Sequence, residues 1–194
     1  MIKHVWLTSC SRLIRILNGY PLEMLLDPEV KSDAERLRWD FVPLVSVGPL
    51  HFGMSRDQVI DTLSAGKSTY SKGSVAGGFD FFYEAGVTVY YGALDELACV
   101  AVDPFQGPFV SIGGFQLTHR LPSEVKAWMK RGEAWEFRLN QRCEPSFEEV
   151  GLVIRGKQGG DLIRSGPVFV SRGWAAGFAN GPECLTYGGH QEPY

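Results

Sequence analysis

The sequence matches itself at an offset of 65 residues, and this match limits the folds that are open to the chain. Residues 45–52 (VSVGPLHF) align with residues 110–117 (VSIGGFQL), with three identities and three exchanges between apolar residues. Residues 82–89 (FYEAGVTV) align with residues 147–154 (FEEVGLVI) at the same offset. Because apolar, glycine and acidic positions stay in step, we predict one structural unit that is present twice.

The duplication divides the 194-residue chain into four segments. The length and the 44% hydrophobic content are sufficient for a globular core that needs no disulfides. The segments are an N-terminal helical extension, a first repeat, a second repeat and an irregular C-terminal tail, at residues 1–44, 45–109, 110–174 and 175–194.

Each repeat is expected to begin with a short apolar strand and to continue with a helix. Ser55 and Gln58 have the spacing of a capping box at the start of the first helix, and Met54 can pack on Val59 as a hydrophobic staple. Pro122 suits the first turn of the second helix. Helical spacing assigns the apolar faces to Ile60 and Leu63 in the first helix and to Val125, Trp128 and Met129 in the second.

Runs rich in aromatic and β-branched residues follow each helix and predict antiparallel strands. The predicted fold class is therefore α+β, with two tandem repeats that each consist of a helix and an antiparallel sheet. The strands are expected near 79–84, 87–91 and 96–102, and near 147–150, 152–155 and 162–170. In the N-terminal extension we expect a short helix around residues 13–17 and a charged helix over 29–39.

A hairpin in the first repeat would have two different faces. With Ala85-Gly86 as a two-residue turn, Phe81 pairs with Tyr90 and Phe82 pairs with Val89. The core face then carries Phe82, Val87 and Val89, matched in the second repeat by Phe147, Leu152 and Ile154. The opposite face carries Phe81, Tyr83, Thr88 and Tyr90. This aromatic face is either covered by residues 1–44 or free to dock a partner.

Acidic residues accompany the aromatic face in the sequence. We expect Asp80, Asp95, Glu96 and Asp103 to form a rim of carboxylates. Such a rim would steer a basic partner protein towards the aromatic side chains. The predicted partner-binding residues are Phe81, Tyr83, Tyr90, Asp80, Asp95 and Glu96.

Charge and motifs argue against several classes of function. The formal net charge of −3 provides no basic excess for nucleic acid. Gly66-Lys67-Ser68 resembles the end of a phosphate-binding loop, but Asp61 stands where its first glycine should be. The cysteines and histidines have no metal-ligand spacing, and no nucleophile elbow is present. We therefore expect no enzyme activity, no cofactor and no metal.

The sequence also allows a prediction of the cellular location. Cys10 follows a short sequence similar to a lipoprotein cleavage site, but the apolar stretch before it, residues 5–7, is shorter than an export signal requires. No window is long and apolar enough to span a bilayer. We expect a cytoplasmic protein with reduced cysteines and no membrane partner.

Residues 52–59 (FGMSRDQV) carry a resemblance to bacterial proteins built from a strand, Gly-Met-Ser, a capped helix and a meander. The layout of two such units over residues 45–174 resembles the β-lactamase inhibitor protein family and cytoplasmic immunity proteins. Outer-membrane assembly lipoproteins share one copy. In the second unit Thr118-His119-Arg120 replaces Gly53-Met54-Ser55.

The resemblance implies a non-enzymatic immunity protein. Such a protein binds a cognate toxin, for example a basic nuclease-type toxin, and occludes its active site. The alternative function is small-molecule binding or catalysis in a cleft between the two repeats. The sequence does not specify the oligomeric state.

Overall fold

The fold is described by a computed structural model. It describes residues 31–64, 70–72, 78–131, 135–140, 144–159 and 161–175, all of which belong to one compact unit. The helix expected around residues 13–17 and the tail expected to be irregular beyond residue 175 lie outside the described residues.

The described residues form a mixed α+β structure dominated by sheets, which confirms the predicted fold class at this level. The helices are α1 (Arg56–Ser64), α2 (Pro122–Arg131) and the short α3 (Arg172–Ala175). The strands are β1 (Arg38–Val42), β2 (Ser46–Val47), β3 (Leu50–His51), β4 (Tyr70–Lys72), β5 (Phe79–Phe82), β6 (Val87–Tyr91), β7 (Leu97–Val102), β8 (Phe109–Ile112), β9 (Phe115–Gln116), β10 (Arg138–Leu139), β11 (Pro145–Phe147), β12 (Leu152–Val153), β13 (Gly156–Gly159), β14 (Leu162–Ser165) and β15 (Val168–Val170).

The largest sheet has eight strands in the order β10-β11-β12-β15-β7-β6-β5-β4. All neighbours in it are antiparallel. Strands β7 and β15 lie side by side at its centre, with Val100 opposite Phe169. The four strands before residue 103 therefore lie on one side of this junction and the four later strands lie on the other.

A second sheet of five strands has the order β3-β2-β1-β8-β9. Its central strand β1 is parallel to β8 and antiparallel to β2. The charged helix predicted over residues 29–39 is therefore wrong in its described part, since residues 31–37 form turns and β1 follows. The reason is a two-residue period in β1, where Trp39 and Phe41 are buried and their neighbours are exposed.

A third sheet is the two-stranded hairpin β13–β14, and it extends the pairing of β12 with β15. Val153 pairs with Val168, and Gly156 pairs with Ser165 in the same register. The predicted strand over 147–150 is only partly present, because Glu148–Val150 form a 3-10 turn after β11.

Both longer helices contact the main hydrophobic core, as the sequence predicts. Val59 of α1 and Val125 and Met129 of α2 are fully buried in it, and Ile60, Leu63 and Trp128 are partly buried against it. The capping box is confirmed: the Gln58 amide donates to Ser55 Oγ at 3.4 Å, and the Ser55 amide donates to Gln58 Oε1 at 2.9 Å.

The hairpin β5–β6 has the predicted faces but a different turn. The turn covers residues 83–86, so Phe82 pairs with Val87 and Phe81 pairs with Thr88. The pairing of Phe82 with Val89 is therefore wrong by two residues. A shift by two leaves every side chain on its predicted face. Gly86 allows this turn because it has a φ of +62°, and a Cβ there would collide with the backbone of Gly107.

Candidate functional site

The predicted site residues do not form one cluster. Phe81 and Tyr83 lie together at one end of the hairpin β5–β6, whereas Asp95 and Glu96 lie in the turn at its other end. Asp80 is on the opposite face of the sheet from Phe81. The structure therefore separates the aromatic face from most of the carboxylates that were expected to surround it.

The aromatic face is partly buried. The rings of Phe81 and Tyr83 meet edge to face at 6.0 Å, and both side chains keep intermediate exposure. Tyr90 is 6% exposed and belongs to a second, smaller core with Cys99, Val168 and Val170. Trp174 and Leu44 pack against that second core. Phe81 and Tyr83 are thus the part of this face that retains access to a partner.

Asp80 is fully buried, so its expected position on a solvent-facing rim is wrong. Arg56 donates from Nε to Asp80 Oδ2 at 3.0 Å and from Nη2 to Oδ1 at 2.6 Å. The Tyr91 hydroxyl donates to the same Oδ2 at 2.8 Å. Burial, with this hydrogen bond, raises the pKa of Tyr91 well above its ordinary range, and the bond to Asp80 raises the pKa of Arg56. Asp80 therefore holds the start of α1 on the sheet.

Other carboxylates of the expected rim are also engaged within the chain. Glu96 accepts a hydrogen bond from the Leu94 amide at 2.8 Å. Asp103 accepts from the amides of Phe105 at 2.8 Å and Gln106 at 3.1 Å, and it also contacts Lys157. Asp95 is exposed and has a φ of +59° in the same turn as Glu96. These residues shape turns, which weakens the case for electrostatic steering of a basic partner.

The sequence analysis missed a second aromatic surface, which lies on α2 and its neighbours. Phe115 of β9 stacks on Trp128 of α2 with ring centroids 4.3 Å apart and an angle of 6°. Trp135 lies 6.4 Å from Trp128, and the guanidinium of Arg120 lies 4.9 Å from the Phe115 centroid. Arg120, Phe115, Trp128 and Trp135 therefore form a chain of contacts in which each side chain touches the next.

Two lysines lie on the flank of α2 that points away from Trp128, since residues two positions apart on a helix do not face each other. The ammonium groups of Lys126 and Lys130 lie 4.4 Å and 4.1 Å from the centroid of Phe137. We call the group of Phe115, Arg120, Trp128 and Trp135 the Trp128 surface. Its signal in the sequence was Trp128, which helical spacing assigned to the apolar face of α2.

Two features of the described residues bear on metal binding and on small-molecule binding. They contain no group of three or more His, Cys, Asp or Glu side chains that could hold a metal ion. A recess lined by Glu136, Arg138, Glu148 and Glu149 has a volume of about 40 Å³, close to the space of one water molecule. This recess is too small for a substrate.

Comparison with known proteins gives no relative for this chain. No family model, no curated protein and no solved structure matches it. Within the described residues, no helix has the length and apolar character required to cross a membrane. The interpretation of function therefore depends on the fold and the two aromatic surfaces.

Proposed function

We propose that this chain is a non-enzymatic immunity protein that binds a cognate toxin and blocks its active site or substrate entrance. The observation that carries the proposal is the eight-stranded sheet, in which two sets of four strands meet at β7 and β15. The layout of two helix-and-sheet units that the sequence predicts resembles the β-lactamase inhibitor protein family, whose members act by binding another protein. An antidote to an intracellular toxin would act in the cytoplasm.

The proposal includes a tandem repeat, with units at residues 45–109 and 110–174. Three features that recur at an offset of 65 support it. The hairpin pair Ser46–His51 corresponds to Ser111–Gln116, and the pair Phe82–Val87 corresponds to Phe147–Leu152. Gly86 and Gly151 both have positive φ, and each amide donates to the carbonyl three residues earlier.

The helices fit the same scheme with one additional residue. Helix α1 begins at Arg56 and α2 begins at Pro122, an offset of 66, and the buried Val59 then corresponds to the buried Val125. The connection from β9 to α2 has five residues, whereas the connection from β3 to α1 has four. A one-residue insertion in a loop changes neither core face.

The docking surface that we propose for the toxin is the exposed part of the aromatic face, at Phe81 and Tyr83. Aromatic side chains bury a large area with few rotatable bonds, so they frequently dominate the energy of protein interfaces. The adjacent Tyr90 is buried in the second core and serves the fold.

The proposal is tested first by toxin suppression. We expect a toxin gene beside this gene, and we expect the purified protein to suppress that toxin at a one-to-one ratio without turnover. Suppression that continues far below one equivalent would indicate an enzyme and contradict the proposal. A gene neighbourhood that contains no toxin would also count against it.

The surface is tested by substitution. Phe81→Ala with Tyr83→Ala should weaken toxin binding by at least about tenfold, since hot-spot truncations commonly cost more than about 1 kcal/mol. Leu94→Ala is the matched control, because Leu94 is 88% exposed at the other end of the hairpin. Equal binding by the double variant and the control, with both folded, would reject this docking surface.

A further inference from the structure

Strand β10 (Arg138–Leu139) lies at one edge of the eight-stranded sheet. It pairs on one side with β11, where Arg138 is opposite Ser146 and Leu139 is opposite Pro145. Among the described residues, no strand pairs with its other side. A strand of another polypeptide can add to a sheet at an open edge of this kind.

The pairing register determines which backbone groups of β10 face outwards. In an antiparallel pair, hydrogen-bonded and non-hydrogen-bonded positions alternate, and the Asn140 amide donates to the Glu144 carbonyl at 3.0 Å. The adjacent residues Leu139 and Pro145 therefore form a non-hydrogen-bonded pair. The Pro145 carbonyl agrees with this, because it accepts from the Ile154 amide at 2.8 Å on the opposite side of β11. The amide and the carbonyl of Leu139 thus point away from the sheet.

The outer side of β10 is accessible at Leu139. This residue is 57% exposed, and no described residue forms a backbone hydrogen bond with it on that side. The rings of Phe137 and Phe147 lie 6.3 Å apart, so the segment before β10 stays beside β11 for at least one more residue. An added strand would pair with this extended segment and would have Leu139 as an apolar contact.

Acidic side chains dominate the recess beside this edge. It is lined by Glu136, Glu148, Glu149 and Arg138, so three carboxylates and one guanidinium give a formal charge of −2. Arg138 lies 3.7 Å from Glu136 and 3.9 Å from Glu148, and all three side chains are in contact with water, so these ion pairs contribute little. The recess would attract a cationic side chain, whereas the same recess of a second copy of this chain would be repelled.

The two faces of the edge differ in chemistry. Successive side chains of an extended chain point to opposite faces, so Glu136 lies on one face and Phe137 and Leu139 lie on the other. The ammonium groups of Lys126 and Lys130 lie over the Phe137 ring and thus on the face away from the recess. A strand added here would place alternate side chains at the recess, where cations fit, and the others beside Leu139, where uncharged side chains fit.

We infer that the edge at β10 binds an extended segment of the partner protein in which basic side chains alternate with uncharged ones. That the occupant belongs to a partner protein rests on the proposed function. Backbone pairing holds the segment, and the recess at Glu136, Glu148 and Glu149 selects its basic side chains. This contact is separate from Phe81 and Tyr83, which lie towards the other edge of the same sheet.

The experiment uses the full chain and a fluorescent octapeptide in which lysine alternates with threonine. Leu139→Pro should weaken peptide binding by about tenfold, because proline removes the outward amide and leaves the hydrogen bonds between β10 and β11 in place. Leu139→Ala is the matched control, since it keeps that amide, and it should weaken binding by about threefold at most. A peptide that is N-methylated at every residue keeps the charge but lacks the amide donors, and it should bind about tenfold more weakly.

The charge preference is tested separately. Glu148→Gln with Glu149→Gln should weaken binding of the lysine peptide by about fivefold, the effect of two exposed ion pairs. Asp57→Asn with Asp61→Asn, at exposed positions of α1, is the control and should change binding by less than about twofold. Equal loss in the two double variants would indicate unspecific attraction and overturn the basic character of the segment.

The outcomes separate the inference from its alternatives. Equal binding of the N-methylated peptide would overturn it, as would no binding at millimolar peptide or equal binding by folded Leu139→Pro and Leu139→Ala. If Leu139→Pro does not fold, the N-methylated peptide decides. Sedimentation of the chain alone tests for a second copy, and a dimer that Leu139→Pro converts to a monomer would overturn the inference.

Failure of the inference differs from failure of the proposed function. Peptide binding with the expected dependence on Leu139, without suppression of any neighbouring toxin, would support the edge as a docking site and overturn the proposed function. Toxin suppression by a chain that does not bind the peptide would support the proposed function and overturn the inference.

Discussion

The two units of the proposed repeat, residues 45–109 (the first half) and residues 110–174 (the second half), differ in charge. Residues 45–109 contain seven acidic and three basic side chains, a formal charge of −4. Residues 110–174 contain seven acidic and ten basic side chains, a formal charge of +3. Under the proposed repeat, the aligned glycines and buried apolar residues would maintain the fold while the exposed positions take opposite charge.

The halves also fasten their helices to the sheet in different ways. In the first half an ion pair between the buried Asp80 and the partly exposed Arg56 holds α1, and the Tyr91 hydroxyl donates to the same carboxylate. The positions aligned with Asp80 and Tyr91 at the offset of 65 hold Pro145 and Gly156. In the second half α2 is held by two fully buried apolar side chains, Val125 and Met129. Polar and apolar side chains thus anchor two helices to one hydrophobic core.

The ion pair of Asp80 and Arg56 is the polar anchor of α1, and the buried side chains of Val125 and Met129 are the apolar anchor of α2. We expect the polar anchor to be the more sensitive to substitution, because removal of one charge leaves the other without its partner. Arg56→Met leaves the carboxylate of Asp80, which is fully buried, without its cation. We expect the free energy of unfolding in urea to fall by about 4 kcal/mol, as for other broken buried pairs.

The matching control for this prediction replaces both charges. Arg56→Met with Asp80→Leu should recover most of the lost stability, because no buried charge then remains unpaired. A loss below about 1 kcal/mol in the single variant would mean that water reaches Asp80, contrary to its complete burial.

The apolar anchor is tested by Met129→Ala. Because Met129 is fully buried between α2 and the sheet, we expect a loss of about 3 kcal/mol of unfolding free energy. The counterpart Leu63→Ala in α1 should cost about 1 kcal/mol, since Leu63 is only partly buried. Equal costs at the two positions would show that the helices are anchored alike.

The elements that follow from local chemistry were predictable from the sequence. Strand β6 has the predicted bounds, and the capping box of α1 has the predicted partners, because both depend on residues a few positions apart. Strand β1 was missed because its sheet neighbours β2 and β8 come later in the chain. A charged stretch with only two buried residues has no strong local signal for a strand.

In the candidate site too, contacts between residues that are distant in the sequence were not predictable. The burial of Asp80 could have been inferred, because it shares a face with Phe82 two residues later, and that face was already assigned to the core. Its ion pair with Arg56, 24 residues away, could not. The Trp128 surface joins β9, α2 and the segment before β10, so it depends on tertiary packing that the sequence pattern does not specify.

Alkaline titration should distinguish the first half from the second. The folded state raises the pKa of Tyr91 above its ordinary value of 10.0. Above that pH the unfolded chain loses this proton while the folded chain keeps it, so the free energy of unfolding should fall as the pH rises. Tyr91→Phe should cost about 1.5 kcal/mol at neutral pH, for the lost hydrogen bond, and should flatten the alkaline decline. Unfolding curves measured from pH 8 to about pH 11 would check both effects, and an equally steep decline in the variant would assign the effect to other groups.

The N-terminal caps of α1 and α2 also differ, and here we expect the smallest changes in the free energy of unfolding. Ser55 forms a complete capping box with Gln58 at the start of α1. The residue before α2 is Leu121, which is 44% exposed; its amide donates to Glu124 Oε2, but its side chain has no acceptor for a helix amide. Ser55→Ala should therefore cost about 1 kcal/mol of unfolding free energy, and Leu121→Ser should add about 0.5 kcal/mol by supplying the missing acceptor. Ser123→Ala, at an exposed position inside α2, controls for the change of side chain. If Leu121→Ser destabilises the chain instead, the apolar contact of Leu121 outweighs a cap, and the two helices begin by different physical means.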